Sequence, residues 1–90
     1  MNKSELIEAV ANSTGLSKVA AGKAVESVIT AITAALKGGD QVSLTGFGSF
    51  SVRHRAGYFG RNPRTGILIE IKELKIPTFR PGKALRDAVK

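Results

Sequence analysis

Between Gly60 and Gly66 the chain reads GRNPRTG, and four of these residues suit a chemistry beyond turning the backbone. Arg61 and Arg64 can neutralise phosphates, and Asn62 can hydrogen-bond base edges in a minor groove. Pro63 is a rigid apolar group with no N–H to desolvate, which suits a wedge between base steps. The same residues also make a good turn, since Asn62-Pro63 and Thr65-Gly66 are turn formers. Composition alone leaves both readings open. Upstream, SFSVRHR alternates apolar and polar residues, so Ser51, Arg53 and Arg55 share one face of a strand while Phe50 and Val52 share the other. A cationic sheet face leading into a basic hairpin is a surface for polyanions.

Other chemistries have little support. His54 is the only histidine and sits between two arginines, as a solvated strand residue would. There is no cysteine, hence no thiolate metal site, and one histidine makes no imidazole cluster. GFG and GKAL lack the glycine spacing and the terminal Lys-Ser or Lys-Thr of a phosphate loop. Neither an enzyme nor a bound metal or cofactor is expected.

Charge sharpens the reading. Residues 1–45 hold four lysines against three glutamates and one aspartate and are neutral. Residues 46–90 hold ten Lys or Arg against Glu70, Glu73 and Asp87, so the net charge of +7 lies entirely in that half. Such asymmetry is the footprint of a nucleic-acid binder, although an anionic membrane surface would attract the same total. The longest uncharged stretch, Gln41 to Val52, has 12 residues, too few for a spanning helix, and Glu5 and Glu8 stand where a signal peptide would be apolar. A soluble cytoplasmic protein with no membrane partner is expected.

The elements that position these residues follow from periodicity. Asn2 with Glu5 is an N-cap signal for a helix over about residues 3–13, closed by Thr14-Gly15. Ser17 caps a second helix over roughly 18–37, whose apolar stripe from Val19 to Leu36 is wider than the first helix can cover. From Asp40 the period is two. QVSLT and SFSVRHR read as strands, Ile67, Ile69 and Ile71 mark a third, and Ile76 to Arg80 a short fourth that Pro77 confines to an edge. Hairpin strands of six or seven residues would hold Pro63 about 20 Å from the body. GKALRDAVK reads as a terminal helix with Leu85 and Val89 inward and Lys83, Arg86 and Lys90 outward. One domain of 90 residues has little core, and without disulfide or metal its route to stability is a second copy.

With those pieces in place the sequence resembles a known family. MNKSELI, GDQVSLTGFGSFSVRHRA, GRNPRTG and FRPGKALRDAV together resemble the bacterial HU family of histone-like DNA-binding proteins over essentially the whole chain. The related integration host factor subunits share the GFGSF and GRNPxTG motifs but usually carry C-terminal extensions. The resemblance implies an α+β fold: an N-terminal helical hairpin, a three-stranded antiparallel sheet with a long β-arm over about residues 55–75, and a short C-terminal helix, two copies intertwining as a dimer. It implies an architectural protein, nucleoid-associated, that bends and compacts double-stranded DNA through the minor groove with little sequence specificity and prefers bent, nicked or distorted duplex.

On matching positions the resemblance implies DNA contacts from Arg53 and Arg55 on a saddle, from Arg61, Asn62, Pro63 and Arg64 at the arm tip, and from Lys72 and Lys75 on the arm. Arg80, Lys83 and Arg86 flank these, and Lys3 would touch DNA bent back along the body. Phe47, Phe50 and Phe79 match the aromatic cluster of the dimer core. A homodimer is expected, a heterodimer with a paralogue being the variant form. Two other readings stay open: a sequence-selective bender like an integration host factor subunit, and a basic protein of RNA or assembly binding. Tyr58, Phe59, Ile67 and Leu68 depart from the polar arm usual in the family, and either pack across the hairpin or touch sugars in the groove.

Overall fold

The computed structural model describes all 90 residues as two compact units, Met1–Ala35 and Leu36–Lys90. In the first, helix α1 (Lys3–Thr14) begins where Asn2 Oδ1 accepts the Glu5 N–H at 2.8 Å. Helix α2 (Lys18–Lys37) begins where Ser17 Oγ accepts the Ala20 N–H at 3.1 Å. Both starts are those the capping residues predict. The helices meet where Ile7 lies over Gly22, and Lys3 forms an ion pair with Glu26.

Very little of this chain is inside. Ala21 and Val25, both on α2, are the only buried hydrophobic residues in the whole molecule. Val19, Val28 and Ile29 lie exposed on the same helix. By length and composition α2 could cross a bilayer, yet Lys23 and Glu26 interrupt it. Its apolar surface is also what the sequence predicts for a helix that packs against a second copy.

The second unit is built on strands β1 (Val42–Leu44), β2 (Gly48–Arg55), β3 (Tyr58–Arg61), β4 (Leu68–Ile71) and β5 (Leu74–Pro81), followed by helix α3 (Lys83–Ala88). Strands β1, β2 and β5 form one antiparallel sheet in the order β1-β2-β5, and β3 and β4 form a separate two-stranded ribbon. Pro77 stands on the edge strand β5, opposite Val52, as its missing N–H requires. Gly48 has φ +156, and a Cβ there would stand 2.6 Å from the Arg80 carbonyl oxygen and 2.7 Å from the Phe79 ring. That crowding lets β2 and β5 close on the aromatic cluster and admits only glycine.

Three expectations need correction. The strand expected to be short, β5, has eight residues, because all of them pair with β2. The hairpin strands have four residues each instead of six or seven, and a four-residue strand spans only roughly 13 Å. The ladder lapses at Ala56-Gly57 and Lys72-Glu73, but the same number of residues is skipped on each side, so Arg55 opposite Leu74 and Tyr58 opposite Ile71 keep one register. The arm is thus a continuation of β2 and β5 with a joint at its root. Lastly, Val89 lies beyond the end of α3 and is 76% exposed, so only Leu85 of the expected inward pair is partly covered. The helix is too short to carry both on one face.

Candidate nucleic-acid interface

Register decides which cations work together. Directly opposite residues of an antiparallel pair point to the same side, so Ser49, Ser51, Arg53 and Arg55 of β2 share a face with Arg80, Thr78, Ile76 and Leu74 of β5. No acid lies on that face. Ser51 Oγ and Thr78 Oγ1 meet at 3.1 Å, and the Thr78 hydroxyl also donates to the Ser51 carbonyl at 3.3 Å, which ties the two strands together between Arg80 and Arg53. None of the chain's arginines forms an ion pair, so their guanidinium groups are free to meet phosphates.

The opposite face is aromatic. Phe50 and Phe79 are partners in register with ring centroids 4.8 Å apart, and Phe47 adds a ring 5.5 Å from Phe79, both contacts tilted. Phe47 and Phe79 are nevertheless 47% and 40% exposed in the single chain. Lys75 is on this second side, opposite His54, and does not join Arg53, Arg55 and Arg80. Reading the alternation back from Arg80 through Thr78 and Ile76 would have revealed this in the sequence.

At the root of the arm His54 Nδ1 lies 3.3 Å from Glu73 Oε1, an exposed pair that the sequence did not single out because the two are 19 residues apart. Lys72, beside Glu73, is exposed in the same break between β4 and β5. At the tip, Asn62 Oδ1 accepts the Arg64 N–H at 2.8 Å, and the Asn62 carbonyl accepts the Gly66 N–H at 2.7 Å. Asn62 therefore shapes the turn with its oxygen and keeps its amide N–H₂ for another acceptor. The acceptors on offer in a minor groove, adenine N3 and thymine O2, need such a donor. Pro63 and Arg64 are exposed at the very end.

Lys83 and Arg86 stand three apart on α3, on one side of the helix. The helix is docked by the Gly82 N–H on the Phe47 carbonyl at 2.8 Å, so these cations are held by the same turn that carries the aromatic cluster. Lys3 belongs to the other unit and is engaged with Glu26.

Comparison with known proteins agrees with this architecture from end to end. The family model for bacterial DNA-binding proteins matches residues 1–90. The chain is 60% identical to DNA-binding protein HU of Geobacillus stearothermophilus over 90 residues, covering all of both chains. It is 55% identical to HU-beta of Serratia marcescens over 89 residues, or 99% of each. Among solved structures it is similar to the Anabaena HU–DNA cocrystal structure, with a TM-score of 0.85 at 40% identity, covering 99% of this chain and 97% of that one. HU from Thermotoga maritima matches with a TM-score of 0.72 at 34% identity over the full length of both chains. A proline-tipped ribbon, a cationic sheet face and full-length agreement in sequence and structure together place the chain in the bacterial DNA-binding protein family, the family of HU.

Proposed function

We propose that the chain is a histone-like architectural protein that binds double-stranded DNA as a homodimer, bends it, and acts as one DNA-binding domain over residues 1–90. The observation that carries the reading is the acid-free face bearing Arg53, Arg55 and Arg80, continued in register by an arm ending in Asn62 and Pro63. Arginines on a sheet bind backbone phosphate without reading sequence, which fits low sequence specificity. The arm tip supplies a donor for minor-groove acceptors and a rigid apolar wedge. Wedges of this kind in minor-groove architectural proteins, HU among them, unstack a base step at a cost of a few kcal/mol. That cost is lower where the duplex is already nicked or bent, which favours distorted DNA.

The dimer is supported by what one copy leaves uncovered: the Phe47 and Phe79 rings and the Val19, Val28 and Ile29 surface of α2. Self-complementary apolar surfaces of this kind are covered by a second copy. Lys72, Lys83, Arg86 and, on release from Glu26, Lys3 would extend the phosphate track beyond the saddle. The role is structural and not enzymatic, needs no cofactor or metal, and places the protein on the nucleoid in the cytoplasm.

Binding to random-sequence intact duplex, the same duplex with a nick, and RNA of matching length, each over a salt series, tests the reading. Tighter binding to nicked than to intact DNA, with RNA weakest, is the expected order. A single preferred DNA sequence would point to a selective bender, and a preference for RNA would refute the DNA reading.

A further inference from the structure

One side of the arm is not explained by phosphate binding. Tyr58 and Gly60 face one side of the ribbon with Ile69 and Ile71, and Phe59 and Arg61 face the other with Glu70 and Leu68. On the first side a Cβ placed on Gly60 would meet Ile71 Cδ1 at 3.6 Å and the Tyr58 ring at 3.8 Å, so the arm's own side chains close over the bare glycine. The second side closes over nothing. Phe59 and Leu68 are 68% and 59% exposed, and Arg61 and Glu70 are exposed beside them. Of the three acids in the basic half, Glu73 meets His54 and Asp87 meets Lys90, whereas Glu70 has no partner. Two open apolar side chains and a free carboxylate are a poor match for a polyanion.

Register sets these four residues in a rectangle. Phe59 stands across from Glu70 and Arg61 across from Leu68, about 5 Å apart between the strands and about 7 Å along them. The apolar pair therefore occupies one diagonal and the charged pair the other. Within one copy the charged diagonal stays open, because neither Arg61 nor Glu70 forms an ion pair. A second copy closes it. When two such sides meet across a two-fold axis along the Phe59–Leu68 diagonal, each residue on the axis meets its own counterpart, and the two residues off it exchange places. Phe59 then lies on Phe59, Leu68 on Leu68, and Arg61 of each copy faces Glu70 of the other, with the strands crossing steeply as in orthogonal sheet packing. An axis along the other diagonal would set Arg61 on Arg61 and Glu70 on Glu70, so charge selects the first arrangement.

We propose that this side of the arm is a self-association face, through which the arms of two molecules pack on each other and join one dimer to the next. It shares no residue with the Phe47 and Phe79 surface, so the two contacts can form together. Four residues per copy fall short of the about 800 Å² per partner of a standard stable interface. The contact is therefore weak in dilute solution and takes effect where copies are crowded, as along one duplex. That crowding rests on the DNA-binding reading above, whereas the contact itself forms without DNA.

The chain has no cysteine, so one introduced on the axis reports the symmetry directly. Under mild oxidation of the concentrated full-length protein without DNA, Leu68→Cys should link to its own counterpart at least about tenfold faster than Val89→Cys, which is exposed but lies off the face. In native sedimentation the linked species should be larger than the unoxidised protein. Adding Glu70→Arg to Leu68→Cys should slow the link about tenfold, and adding Arg61→Glu as well should restore it, because the exchanged charges again face each other. Random-sequence duplex should speed the link by crowding the copies. Leu68→Cys linking no faster than Val89→Cys, a double reversal as slow as the single one, or a linked species no larger than the unoxidised protein would overturn the inference. Suppression of the link by duplex would overturn it too, because the face would then belong to DNA. Failure of the protein to bind duplex at all would refute the DNA reading and leave the arm contact standing.

Discussion

Phe47→Ala separates a self-sufficient chain from one completed by a second copy. In the single chain Phe47 is 47% exposed, so truncation removes only about half of the roughly 1.5 to 3 kcal/mol that full burial of such a side chain contributes, or about 0.75 to 1.5 kcal/mol. Loss of its tilted contact with Phe79 at 5.5 Å adds about 0.5 to 1.5 kcal/mol. If a second copy covers the exposed half, the substitution instead costs about 3 to 5 kcal/mol per subunit, the range for a fully buried aromatic. For a domain of this size each kcal/mol moves the melting temperature by about 4 to 8 °C. The dimer thus predicts a fall of at least about 12 °C. Thermal unfolding followed by circular dichroism at two protein concentrations a hundredfold apart is the assay, because association makes the midpoint depend on concentration. A midpoint independent of concentration, together with a folded monomer in analytical ultracentrifugation, would refute the argument. The size of the shift then says how completely the ring is covered.

Other substitutions address the site. For the unmodified protein, log K against log salt should have a slope of magnitude about 5 to 10. Arg53→Ala or Arg86→Ala should each lower that magnitude by roughly one, whereas Lys75→Ala, on the aromatic side of the sheet, should leave it unchanged; equal slopes for Arg53→Ala and Lys75→Ala would refute the assignment of faces. Gly48→Ala should lower stability by more than about 2 kcal/mol in denaturant unfolding, since its methyl has no room beside the Arg80 carbonyl. Pro63→Ala should leave the melting temperature within about 2 °C and reduce both DNA bending, measured by energy transfer between duplex ends, and the preference for nicked over intact duplex; an unchanged bend would make Pro63 a turn residue only.

How much of this was legible in the sequence depends on whether a feature is local. Asn2, Ser17 and the three- and four-residue apolar spacing set both helix starts to the residue, because caps and periodicity act within one or two turns. Arg53 and Arg55 were placed on one side from the alternation of their own strand. What the sequence could not show needed a partner far along the chain. Lys75, read with Lys72 as a contact on the arm, is the exception, because the alternation of its own strand back from Arg80 already implied the aromatic side, where it pairs with His54. The joint in the arm depends on Gly57, where a Cβ would stand 2.9 Å from the Ile71 carbonyl oxygen, a contact across 14 residues. Tyr58 and Phe59, alike in sequence, parted company once register put Gly60 under one and Glu70 opposite the other.

The arm's thin construction bears on how it binds. A ribbon of two four-residue strands with no layer on either side is marginal alone in water. Its order comes from the Asn62 turn, from Tyr58 and Ile71 over Gly60, and from the rigid ring of Pro63, none of which buries much surface. Each of these reduces the freedom the arm would otherwise lose on entering a groove, and a smaller loss leaves more of the contact energy as affinity. At the joint the ladder lapses on both strands, and the exposed His54–Glu73 contact and the close approach of Gly57 to the Ile71 carbonyl and the Glu73 backbone span the gap. On the proposed reading, phosphate contacts from arginines fixed on the sheet would account for indifference to sequence, and the pre-ordered tip would supply the wedge that favours an already distorted duplex.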